Sequence, residues 1–102
     1  MTSQPIVEWA QAVLRPEVTE ETFLALSEIM QRSFIDQQPG VLSRQVFAGQ
    51  EGRVGAMLVW ESEAALRASL AAARTDAAVR AFADCLVPGS YTMQVLRLLQ
   101  TY

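Results

Sequence analysis

The stretch Gly55–Leu70, GAMLVWESEAALRASL, decides how this chain of 102 residues folds. Ala56, Met57, Leu58, Val59 and Trp60 make an apolar run of strand length that breaks off at Glu61. Ser62 then opens an alanine-rich helix that buries Leu66 and Leu70. A strand that passes straight into a helix, after an earlier hairpin, points to one small α+β architecture.

The upstream partner of this strand is Val41–Ala48, joined to Val54–Trp60 by the glycine-bearing turn Gly49-Gln50-Glu51-Gly52-Arg53. Before it, Pro5–Leu14 (PIVEWAQAVL) reads as a strand apolar on both faces apart from Glu8 and Gln11, and Pro16 ends it. Thr19 caps a first helix that runs to about Asp36, with Val18 and Phe23 as a hydrophobic staple and Phe23, Leu26, Met30 and Phe34 on one face. Pro39-Gly40 stops it. Downstream, the second helix breaks near Thr75-Asp76. A further segment capped by Asp76 buries Val79, Phe82 and Leu86 and ends at Pro88-Gly89, and Tyr91–Leu99 is the last strand.

The order is βαββαβ, one ferredoxin-like plait over residues 1–102, with expected strand order 4-1-3-2 in a four-stranded antiparallel sheet. Two helical layers' worth of cover reaches one face of such a sheet only. The first strand is apolar on both faces, so the other face also needs cover. A second copy of the same sheet supplies it, closing a dimeric α+β barrel, and a homodimer is inferred.

Composition removes whole classes of chemistry. The net charge is −3 with no basic run, which excludes the clustered positive stripe that nucleic-acid binding needs. The chain has no His, Lys or Asn, and all eight of its cations are Arg. Imidazole bases, His metal ligands, Ser-His or Cys-His nucleophiles and lysine Schiff bases are therefore unavailable, and no metal site is expected. Any acid or base is Glu, Asp, Tyr or Cys. Cys85 is alone, which rules out an intrachain disulfide, and its place near a helix C-terminus disfavours the thiolate. No signal-peptide pattern opens the chain and no apolar run approaches the ~20 residues of a membrane helix, so a cytoplasmic protein with no membrane partner is expected.

With Pro39-Gly40-Val41-Leu42 leading into the second strand, and Leu58-Val59-Trp60-Glu61-Ser62-Glu63-Ala64-Ala65-Leu66 at the joint, the chain resembles the dimeric α+β barrel superfamily, and within it the antibiotic-biosynthesis-monooxygenase-like domains. The resemblance covers almost the whole chain. Its haem-degrading branch uses an Asn on the first strand and a Trp and a His on the second helical region; the helix His of many members and the Trp of that branch both fall near Ser69 here, not on Trp60. With neither Asn nor His present, that chemistry is excluded. The cofactor-free, quinone-forming branch is similar in fold, but its polar set includes an Asn that this chain lacks. The resemblance implies a cofactor-independent monooxygenase-like protein acting on a small aromatic or hydrophobic molecule. The alternative is a non-catalytic barrel that binds a ligand or serves as an assembly module.

Three charges fall in mid-strand: Glu8, Arg44 and Arg97. Glu8 and Arg97 are expected to come close if the first and last strands pair antiparallel, as a structural or interface ion pair or as a polar anchor in an apolar pocket. Arg44 serves either as such an anchor or as an edge-strand charge. The other charges pair along helices: Glu28 with Arg32, Glu63 with Arg67, and Arg80 with Asp76 and Asp84. Trp9, Met57, Trp60 and Tyr91 complete the candidate ligand-binding set, either as packing or as pocket lining, with Tyr91 the preferred hydrogen-bonding phenol. Both faces are apolar, so the parity of strand residues facing the helices stays open.

Overall fold

A computed structural model describes residues 4–102. The strands are β1 (Ile6–Val13), β2 (Val41–Ala48), β3 (Arg53–Trp60) and β4 (Thr92–Arg97); the helices are α1 (Glu20–Ser33), α2 (Glu63–Ala73) and α3 (Ala77–Ala83). The sheet is antiparallel throughout, in the order β2-β3-β1-β4, as the sequence predicts.

Each helix begins on the side chain that its sequence offers. Thr19, Ser62 and Asp76 accept the backbone N–H groups of Thr22, Ala65 and Val79, which satisfies donors the first turn leaves without partners. Two helix ends differ from expectation. Phe34 leaves helical geometry at φ −125°, and a short 3-10 turn at Ile35–Gln37 follows, so Phe34 and Ile35 both reach the core. The last helix stops at Ala83, short of Pro88-Gly89, because the chain turns to pair with the end of β1. Arg15 N–H donates to Cys85 C=O and Val87 N–H to Val13 C=O, each at 2.8 Å.

Even-numbered residues of β1 and β3 face the helices. Ile6, Glu8 and Ala12 are buried there, as are Val54, Leu58 and Trp60. The packed core runs from Ile6, Met30 and Phe34 through Leu58 and Trp60 to Leu66, with a second cluster around Phe23, Val54 and Cys85. Odd-numbered residues form the other face. Trp9 stands directly opposite Met57 and meets Phe47 edge-on at a ring distance of 5.7 Å. Gly55 lets β3 lie close to β1, since a Cβ there would be 2.8 Å from Ala10 C=O. Among the described residues no helix covers this face.

A β-bulge lies between Val41 and Ser43, where Leu42 is extra and exposed. Simple alternation from Val41 places Arg44 on the face away from the helices. The extra residue resets the alternation, so Arg44 points toward the helices, opposite Leu58.

Candidate functional site

Between the sheet and the helices lies a cavity of about 510 Å³. Protein interiors are normally filled, so a void of this size needs a local cause. Here the facing surfaces carry side chains too short to meet. Ala10 and Ala56 are paired on the sheet floor, and Ser69, Ala73 and Ala83 come from the helices above. For the same reason Val79, Phe82 and Leu86 are only half-buried, where the helical spacing predicts core burial.

The walls are apolar apart from a few polar side chains. Glu8, on β1, is only 8% exposed. Its Oε1 accepts the indole N–H of buried Trp60 at 3.0 Å. No other hydrogen bond reaches this carboxyl among the described residues. No side-chain oxygen or nitrogen there is both sealed and unpartnered, so the second carboxylate oxygen opens onto the cavity. Burial pushes the Glu8 pKa above its ordinary range, against the opposing effects of the Trp60 N–H and the Arg44 charge.

Arg44 reaches the cavity from β2. Its guanidinium donates to Ser27 Oγ at 2.9 Å and to Gln31 Oε1 at 3.1 Å, both on α1, and lies 5.7 Å from the centre of the Phe82 ring. Burial lowers its pKa, while Glu8 raises it. Glu8 and Arg44 feel each other's charge yet form no contact ion pair. The ion pairs among the described residues are Arg32–Glu28 and Arg67–Glu63, both on exposed helix surface. Arg80 makes no such pair with Asp76 or Asp84.

Ser69 of α2 is 5% exposed, lines the cavity and has no hydrogen-bond partner among the described residues, so its hydroxyl also faces the open space. Tyr91 stands at the mouth, 53% exposed. Burial and then the Glu8 charge raise its pKa, which keeps the phenol protonated. The preceding Ser90 fixes it in place: its hydroxyl accepts from Val13 N–H at 3.0 Å and donates to Val87 C=O at 2.7 Å.

Of the candidate residues, the fold brings Glu8, Arg44, Trp60 and Tyr91 to one cavity. Trp9 and Met57 lie on the opposite face of the sheet. The expected Glu8–Arg97 pair does not form. Val95 stands opposite Glu8, while Arg97 stands opposite Ile6 at the exposed end of β4, because β1 and β4 register two residues away from the alignment that pairing needs. Ser27, Ser69 and Phe82 were not among the candidates. The signal for the two serines was in the sequence: each is a hydroxyl on an otherwise apolar inward helix face.

Solved structures share this fold. SnoaB, a cofactor-independent oxygenase from Streptomyces nogalater (an asparagine-to-alanine variant), matches with a TM-score of 0.79 over 97% of each chain at 15% identity. A dimeric ferredoxin-like protein from an uncultured marine organism matches at 0.76, over 98% of this chain and 100% of its own, with 14% identity. An antibiotic biosynthesis monooxygenase matches at 0.72, over 93% and 99%, with 20% identity. No protein-family model matches the sequence, and no curated protein does. The chain has the ferredoxin-like α+β fold of antibiotic-biosynthesis-monooxygenase-like proteins, as its joint and turn motifs implied. No helix among the described residues is long and apolar enough to cross a membrane.

Proposed function

We propose that the chain forms a homodimer through its uncovered sheet face, and that each cavity takes a small aromatic or hydrophobic molecule for oxidation by O₂ without a cofactor. The cavity carries this reading: it is apolar, of ligand size, and holds a buried carboxylate, a guanidinium and a phenol. Glu8, whose affinity for a proton burial increases, acts as the base that takes a proton from the substrate. Arg44 holds the resulting anion, and Tyr91 donates a hydrogen bond to it. The substrate anion reduces O₂, a carbon–oxygen bond forms, and the O–O bond of the peroxide breaks. One oxygen atom stays as a carbonyl on the substrate. The other leaves as water with the two hydrogens the substrate loses.

A second reading, a ligand-binding barrel without catalysis, is favoured by the absence of any Asn or His in the chain. Native mass spectrometry of freshly purified protein tests assembly and occupancy together. A dimer with added small-molecule mass supports the proposal, and a monomer at micromolar concentration overturns the barrel. Incubation of the captured ligand with isotopically labelled O₂ then separates the readings. One labelled atom in the product supports oxidation; an unchanged ligand leaves binding alone.

A further inference from the structure

Among the described residues, α3 is the one helix with no buried side chain, and it has only seven residues. An isolated helix holds in water only from about 12–15 residues, so α3 depends on what it packs against. α2 packs against β1 and β3, whereas α3 packs against α1. Toward the sheet α3 faces the cavity, through Val79, Phe82 and Ala83. Its hold on α1 centres on half-buried Phe82, whose ring lies 5.1 Å from the ring of Phe23 and 5.7 Å from the Arg44 guanidinium. The two ends of the helix are held unequally. At the joint with α2, Arg74 N–H donates to Ala71 C=O at 3.4 Å and Asp76 N–H to Ala73 C=O at 3.3 Å, both longer than an ordinary backbone bond. Downstream, the Arg15 side chain donates to Asp84 C=O at 2.7 Å, beside the two backbone bonds that tie Cys85 and Val87 to the end of β1.

We infer that α3 is the gate of the cavity: it opens as a unit, losing its helix between the end of α2 and the tied chain at Asp84, while α1, α2 and the sheet stay folded, and Phe82 is its latch. The cost of this opening is small for a physical reason. It uncovers side chains that are only half-buried and returns the conformational entropy of a short segment. Loss of α2 would instead uncover Leu66, which is fully buried in the core. Opening removes the wall that Val79, Phe82 and Ala83 supply, and so makes a route into the cavity apart from the mouth at Tyr91. The gate goes beyond the proposed oxidation and is the same whichever molecule the cavity takes.

Two measurements test it without any ligand. The first is native-state hydrogen exchange, followed by NMR across low concentrations of guanidinium chloride. The helical amides of Arg80 and Asp84, bonded to Asp76 C=O and Arg80 C=O, report on α3. They are expected to exchange through an opening at least about a hundredfold more frequent than that of the β1 and β3 amides, and to respond weakly to denaturant. Exchange of α3 in step with β1 and β3 overturns the gate. The second measurement places a thiol inside the cavity. Ser69 is 5% exposed and lines it from α2, so Ser69→Cys in a Cys85→Ala background is labelled by an aromatic disulfide reagent only when the reagent enters. Phe82→Ala is expected to speed this labelling at least about tenfold, by the same factor as it speeds exchange in α3. The labelling is also expected to share the weak denaturant dependence of α3. Labelling that Phe82→Ala leaves unmoved means that the reagent enters at Tyr91, and overturns the gate. Labelling with the denaturant dependence of the sheet amides means that only global unfolding admits it, and overturns the gate as well. If circular dichroism shows that Phe82→Ala loses the fold, Phe82→Leu takes its place, with the same direction expected and the same outcomes decisive.

Discussion

Glu8 and Arg44 face the same cavity from strands that are not neighbours, each directly across from Leu58. They are oppositely charged, Glu8 buried and Arg44 half-buried, and they are held apart. Separation keeps both groups available to a ligand. A contact ion pair at this site would satisfy each with the other and close the space between them. Each group therefore keeps hydrogen-bonding capacity that the described residues do not use.

The first consequence concerns pH. Burial holds the Glu8 carboxyl above its ordinary value of 4.5. A group with a raised folded pKa keeps its proton more tightly when folded, so its contribution to stability is complete below the unfolded value. That contribution is lost as pH rises through the folded value. Glu8→Gln has no proton to lose and retains the acceptor for Trp60. Its melting temperature is expected to gain on that of the wild type as pH rises above 4.5. Parallel melting curves across that range would show that the carboxyl is not perturbed.

Trp9 tests the uncovered face. Its ring lies against Phe47 and opposite Met57, away from the cavity. Trp9→Glu places a charge in the middle of the proposed interface, where desolvation without a partner is costly. Light scattering after gel filtration should show a monomer with unchanged far-ultraviolet circular dichroism. A variant that remains dimeric places the interface elsewhere.

Gly40 holds the approach of α2 to the sheet. It has φ +87°, and a Cβ there would lie 2.7 Å from Ala65 Cβ and 2.9 Å from Glu61 Cγ. Its carbonyl also accepts Glu61 N–H at 2.8 Å. Gly40→Ala combines left-handed backbone strain with a clash against the helix. A loss of about 1–3 kcal/mol in urea unfolding is expected. A loss within experimental error would mean that this loop yields freely.

Cys85 is buried at 5% exposure, and burial and then Asp84 raise its thiol pKa above the ordinary 9.0. Its reaction with an aromatic disulfide reagent near neutral pH is expected to be at least about tenfold slower than that of the unfolded chain. Equal rates would show that the thiol is open to solvent in the folded protein.

The sequence by itself determined the element order, the strand order and the three helix caps, because these depend on local matters. Apolar runs, turn glycines and hydroxyl or carboxylate caps act within a few residues of their place in the chain. It also determined what chemistry is unavailable, since no fold supplies an imidazole to a chain without histidine. The site was only half legible. Glu8, Arg44 and Tyr91 stood out as polar residues in or beside strands, and Trp60 as part of the joint, but the choice between the two sheet faces did not follow from residues that are apolar on both. Register decided it. The pairing of β1 with β4 set Val95 opposite Glu8 and left Arg97 in solvent, and the single extra residue at Leu42 turned Arg44 from the outer face to the inner one. A shift of one residue reverses every side chain on a strand, and such shifts are set by contacts between strands distant in sequence. The cavity was decided in the same way: alanines that read as helix formers and sheet filler become an open space only once the fold sets them face to face.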